Sequence, residues 1–188
     1  MEKRERVSKI IFFVFALSFL WSALLILSPL VLPTGTIQDL SGQTAVIDNK
    51  YVTDTLPFPI DSVYSIGDRL CHQRADRSFF INENQMPFCS RCTAIFIGIT
   101  IGLFIISFLK VTLDERFIFI ILISMVPIGI DGVGQLFGFW ESTNLIRVIT
   151  GLIIGITSGI AIGIIINETV GWLKTKKVNK RIHLPLKR

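Results

Sequence analysis

IIFFVFALSFLWSALLILSPLVL, from Ile10 to Leu32, carries no charged side chain. A spanning helix needs roughly 20 apolar residues to cross the hydrocarbon core, so this stretch is long enough by itself. It is too long for the apolar region of a cleaved signal peptide, and no A-x-A site follows it, so it reads as an anchor. Residues 148–167 are equally free of charge, residues 117–140 are interrupted by Asp131, and residues 89–109 complete the set if their helix opens at Cys89. Half of the chain is hydrophobic, 51%, which places it in the membrane class. The expected fold is an all-α integral membrane protein of four transmembrane helices, with an extracytoplasmic loop over residues 33–88 between helices 1 and 2.

Cations set the expected orientation. Lys3, Arg4, Arg6 and Lys9 precede the first span, Lys110 and Arg116 separate the second from the third, and Lys174, Lys176, Lys177, Lys180, Arg181, Lys187 and Arg188 follow the fourth. By the positive-inside rule residues 1–9, 110–116 and 168–188 are cytoplasmic, and both termini with them. Residues 141–147 then form an outer turn. The net charge of +5 becomes a topology signal and an attraction to anionic membrane lipids. No RNA-binding motif accompanies the basic tail, so no nucleic acid partner is expected.

The outer loop divides in two. Residues 33–60 carry Pro33, Gly35, Pro57 and Pro59, a composition suited to turns and a short strand pair near residues 44–55. Residues 61–88 hold Cys71, and Cys89 and Cys92 follow at once. Asn82 to Pro87 reads as a turn that folds Cys71 back toward Cys89. Glycines recur at every fourth position, Gly151, Gly155, Gly159 and Gly163 in the fourth span, Gly98 and Gly102 in the second, Gly134 and Gly138 in the third. Small residues on one face let helices approach closely in lipid.

Cys71, His72, Cys89 and Cys92 are the first chemical cluster. Three thiols and an imidazole are the donors a tetrahedral zinc ion prefers, and C-x-x-C is a spacing at which two thiolates reach one ion. Because Cys71 and His72 are adjacent, either His72 joins three thiolates or the thiolates leave the fourth position to water or another side chain. Two other readings stand beside zinc. One is a structural disulfide in an oxidising compartment. The other is redox chemistry, with Cys89 activated at a helix N-terminus beside Arg91 and Cys92 resolving.

The second cluster is Asp131, Gln135, Glu141, Ser142, Thr143, Asn144, Arg147 and Thr150. Asp131 and Gln135 lie one helical turn apart, and so do Asn144 and Arg147. A carboxylate inside a span needs a partner, for which Arg147 is the expected candidate. Asp131, Gln135, Glu141 and Arg147 are accordingly the candidate catalytic groups, with Glu141 or a metal-bound water as base. Arg74, Arg77 and Arg91, with Ser142, Asn144 and Thr150, are candidates for holding an anionic or lipid-linked substrate, since arginine offers paired donors to phosphate or carboxylate.

These motifs carry a resemblance. Cys71-His72-Gln73, Arg77-Ser78-Phe79, Cys89-Ser90-Arg91-Cys92-Thr93, Gly129-Ile130-Asp131-Gly132, Gln135, Glu141 to Asn144, Arg147 and Thr150-Gly151 resemble, in order, the prokaryotic membrane-protein family numbered two thousand eighty-five among domains of unknown function. The family has glycine after C-x-R-C-T, where this chain has Ala94. The resemblance implies a membrane protein and supports the choice of residues, and it implies no reaction. The Asp131, Gln135, Arg147 and Gly151 series is similar to the polar signature of glycopeptide-resistance accessory proteins of the VanZ type, which implies lipid-linked substrates. A four-helix bundle with C-x-x-C at an outward helix start is similar to quinone-linked disulfide oxidases. Those need a second cysteine pair, where only Cys71 remains.

Overall fold

The structure, a computed structural model, describes residues 9–40, 42–109, 111 and 114–182. Lys3, Arg4, Arg6, Lys110, Lys187 and Arg188, which set the expected orientation, lie outside the described residues. Among the described residues four helices are long and apolar enough to cross a membrane: α1 (Lys9–Val31), α4 (Ser90–Phe108), α5 (Glu115–Leu136) and α6 (Asn144–Ile182), the last over Asn144–Leu173. Between α1 and α4 lie the short helices α2 (Lys50–Thr53) and α3 (Ile60–Leu70), a single 3-10 turn at Ala75–Arg77, and a hairpin of β1 (Phe80–Ile81) with β2 (Asn84–Gln85).

Glycine fixes the centre of the bundle. A Cβ on Gly98 would lie 2.9 Å from the Gly155 Cα, one on Gly102 2.9 Å from the Gly159 Cα, and one on Gly151 2.7 Å from the Arg91 carbonyl oxygen. The α4 and α6 backbones therefore touch along the ridge that the four-residue period foretells. The glycines of α5 do something else. Gly134 gives its side-chain space to the ring of Trp140, and Gly138, at φ 71°, closes the helix. There Phe139 N donates to the Gly134 carbonyl at 2.9 Å and Gly138 N to Gln135 O at 3.2 Å, the paired bonds of a Schellman end. This is why α5 stops at Leu136 and not at residue 140.

The fourth span also departs from its expected limits. Thr143 caps α6, its hydroxyl accepting from Ile146 N at 3.3 Å, so the helix opens at Asn144. It then continues to Ile182, because lysine and arginine, which follow residue 167, are good helix formers. Its 39 residues span about 60 Å, roughly twice a hydrocarbon core.

The loop folds onto the end of the bundle where α1 stops and α4 starts. The strand pair expected near residues 44–55 is absent there. That stretch holds α2 instead, since Asn49 N and Nδ2 donate to the buried Asp68 carboxylate at 3.0 and 2.8 Å and draw the chain onto α3. The strands form at residues 80–85, around a two-residue turn with Asn82 at φ 52° and Glu83 at φ 58°. Asn82 and Asn84 use their amides on the orphan carbonyls ending α1, Asn82 Nδ2 on Leu32 O at 2.8 Å and Asn84 Nδ2 on Pro29 O at 3.0 Å. Gln73 Nε2 donates to Pro87 O at 2.8 Å, and Gly67 has no room for a Cβ beside that same carbonyl. Through these bonds α3, which ends at Cys71, is held against the start of α4.

Candidate metal centre and its arginine neighbours

Each thiol is placed by a helix end. Cys71 follows α3 in extended conformation, its N–H still bonded to the Gly67 carbonyl at 2.8 Å. Cys89 is the N-cap of α4, and Cys92 lies in its first turn. Cys89 N donates to Cys71 Sγ at 3.4 Å. The three sulfurs all fall within 4.8 Å of one another. Cys71 and Cys89 are 4% exposed and Cys92 is half-buried, inside a collar formed by Trp21, Leu25, Val63, Met86, Phe88 and Phe96. All three are free thiols.

The cluster divides its protons unevenly. Hydrogen bonds from Cys71, and then from Cys92, pull the Cys89 thiol well below its ordinary range. The same contact with Cys89 pushes Cys71 up. His72 stays outside the sulfur group, half-buried, with Nδ1 accepting a long 3.5 Å contact from Arg74 N. Burial lowers its pKa, opposed by the Cys89 charge and reinforced by Arg77, Arg74 and Arg147.

The geometry fits a soft divalent ion. Tetrahedral zinc thiolates have bonds of about 2.3 Å, which sets neighbouring sulfurs roughly 3.8 Å apart. The three sulfurs, all within 4.8 Å of one another, lie close to that spacing. Three thiolates then leave one coordination position for another donor.

Beside the thiols the second cluster assembles, with one correction. Arg91, and not Arg147, is the ion partner of Asp131. Gln135 Nε2 also donates to Asp131 Oδ2, at 3.1 Å, and Trp140 Nε1 lies 3.5 Å from Oδ1. Arg147 turns to neutral groups, Nη2 to Gln135 Oε1 at 3.3 Å and Nη1 to Asn144 Oδ1 at 3.1 Å. Arg91, in the first turn of α4, reaches Asp131 on α5 instead.

Other residues of the expected site lie apart from this network. Glu141 is exposed, near enough to Arg74 to act on its charge. Ser142 is buried with a 3.4 Å contact to Thr143 O, and the Thr150 hydroxyl closes on its own helix at Ile146 O, 2.9 Å away. Arg74 pairs with Asp76 at 3.0 Å at the exposed edge, and holds that carboxyl below the usual range. Ser90, Trp140 and the role of Arg91 escaped the sequence reading. Ser90 Oγ donates to Asn144 Oδ1 at 2.9 Å and lies 3.0 Å from the Arg77 carbonyl, tying the loop to α4 and α6. Nothing but the position of Ser90 and Arg91 at a helix start on the same side as Asn144 could have flagged them.

A family model described as "Predicted membrane protein (DUF2085)" matches residues 71–161, from the first thiol through most of α6. The chain belongs to this family. It is 40% identical over 98 residues to an uncharacterized protein of Methanocaldococcus jannaschii, covering 50% of this chain and 62% of that relative. It is 38% identical over 88 residues to an uncharacterized protein of Methanothermobacter thermautotrophicus, covering 46% of this chain and 78% of the relative. The chain thus spans less than two thirds of the length of the first of these. No solved structure matches it. The family and the four apolar helices make it a multi-pass membrane protein, and both clusters lie within the matched segment.

Proposed function

We propose that this membrane protein holds a zinc ion on Cys71, Cys89 and Cys92 at the extracytoplasmic surface, and that the arginines beside it receive an anionic or lipid-linked substrate. The convergence of all three sulfurs within 4.8 Å carries this reading. Thiolates suit zinc by their softness, and the Cys89 thiol is already biased toward the ligating form. The fourth position falls to water, to substrate or to His72, which follows Cys71 in the chain. The expected cytoplasmic cations place the loop outside, and with it the site.

Elemental analysis of detergent-purified protein tests the centre, wild type beside Cys89→Ser. Stoichiometric zinc in the wild type and its loss in the variant support it. A second reading, a quinone-coupled thiol oxidoreductase, draws on Cys89 at the N-terminus of α4 with Cys92 one turn away. Wild-type protein free of thiophilic metal, with a reversible Cys89 to Cys92 disulfide by thiol counting and redox titration, overturns the first reading in favour of this one. A third, non-catalytic assembly or transport role would leave zinc bound and only stability sensitive to Asp131 and Arg147.

A further inference from the structure

We infer that the arginine cluster at this end of the bundle binds a doubly charged phosphate group, held by Arg77, Arg91 and Arg147. The inference deepens the anionic-substrate part of the function proposed above and rests on it. Arg147 is 5% exposed, and its described hydrogen-bond partners are the amide oxygens of Asn144 and Gln135. A buried cation satisfied by amides alone keeps an uncompensated charge. The charges that act on it are Arg77 and Arg91, which repel it, and Asp131 and Asp76, which attract it.

Neither acid is available to it. Asp131 gives Oδ2 to Arg91 and Gln135, and Oδ1 faces Trp140. Asp76 is half exposed, is engaged twice by Arg74, and lies 3.7 Å from Arg77. Meanwhile the Nε atoms of Arg77 and Arg91 are buried and lack any hydrogen bond among the described residues. Among the described residues four arginines, Arg74 included, therefore share the two carboxylates of Asp76 and Asp131, which leaves a surplus of two positive charges and two idle donors.

That surplus selects the ligand. A carboxylate would neutralise only half of it. A terminal phosphate carries about −1.5 to −2 near neutral pH and three acceptor oxygens, and guanidinium forks match its geometry. The turn bearing Arg77 is fixed to the α6 start through Ser90 and Asn144, so the cations are positioned before the ligand arrives. The phosphate belongs either to a lipid headgroup or to a free anion.

Calorimetric titration of the full-length protein in a non-ionic detergent tests this, with inorganic phosphate, acetate, dihexanoyl phosphatidic acid and dihexanoyl phosphatidylcholine as probes. Saturable binding of phosphate or phosphatidic acid, weakened about tenfold or more in Arg147→Gln and in Arg77→Gln, is the expected result. Arg77 is the safer variant, since its Nε makes no hydrogen bond among the described residues and its ion partner Asp76 keeps Arg74 when it is lost. Phosphatidic acid binding tighter than inorganic phosphate assigns a lipid headgroup, and equal affinities assign free phosphate. Acetate binding as tightly as phosphate, phosphatidylcholine as tightly as phosphatidic acid, or an Arg77→Gln protein that binds like the wild type overturns the inference. Zinc is measured in every sample. Phosphate binding that survives in Cys89→Ser while zinc is lost separates this site from the thiol centre, so either can fail alone.

Discussion

Helix α6 packs mainly against α4 and α5, with a smaller contact to α1, and it holds the first two by different means. Against α4 it uses backbone, with Gly98, Gly102, Gly155 and Gly159 so close that no Cβ fits between the helices. Against α5 it has little of this. Only Phe117, Ser124, Asp131 and Gly134 of α5 are buried, while Phe119, Leu122, Ile123, Val126, Ile130 and Val133 face outward. In lipid an apolar side chain gains little by exchanging an acyl chain for another helix, so association requires either close backbone contact or a polar bond. The α4 and α6 pair has the first. Helix α5 uses the second at one end, through Gln135 to Arg147 of α6 and Asp131 to Arg91 of α4, and buries Phe117 against the bundle at the other.

The sharpest way to break this contrast is Gly102→Ala. The added methyl points at the Ile156 carbonyl oxygen and the Gly159 Cα, which are backbone atoms and cannot rotate away. The helices must separate, and overpacking of this kind costs about 1–3 kcal/mol, or more where nothing relaxes. Denaturation in mixed micelles should show the variant losing that much, with retention of zinc and phosphate binding failing in parallel as the α4 start shifts. Wild-type stability would mean that α4 and α6 do not touch along glycine.

Asp131→Asn should act more locally. Removing the carboxylate strands Arg91 and frees Trp140 and Gln135, but the Arg91 side chain is 24% exposed, so water offsets part of the loss. A destabilisation of about 1–2 kcal/mol is expected, below the 3–5 of a fully buried pair. Hydrogen exchange locates it. Amides of residues 131–136 should lose protection while residues 94–106 keep theirs, because the glycine contact is untouched. A uniform rise across both helices would show that α5 is integral to the bundle and not attached at its end.

Much of this was legible from the chain. Long apolar runs, two of them charge-free, marked the four spans because lipid imposes length and apolarity on any helix that crosses it. The glycine period marked the α4 and α6 face, and C-x-x-C with Cys71 marked the thiol site, because both signals are fixed by local geometry. Partner choice was not local. Whether Asp131 finds Arg91 or Arg147 depends on the relative depth of two helices, which a hydrophobic pattern leaves open. His72 was grouped with the thiols by adjacency, and the structure brings only the three sulfurs together. The same four-residue spacing misled at Gly134 and Gly138, where one glycine seats an indole and the other makes a turn.

The smallest expected effect is the most useful control. Gly132→Ala lies on α5 with nothing within 4 Å of the added methyl, next to Asp131 but on another side of the helix. Replacing glycine in a helix interior removes unfolded-state freedom, worth up to about 1 kcal/mol in favour of the folded state. The variant should therefore match the wild type or exceed it slightly in micelle denaturation, and keep the exchange pattern of the wild type. Loss of stability comparable to Gly102→Ala would mean that the outward face of α5 is covered by another chain. In that case the weak attachment of α5 within one chain would be half of a larger contact, and Asp131 would serve to orient that helix for its partner.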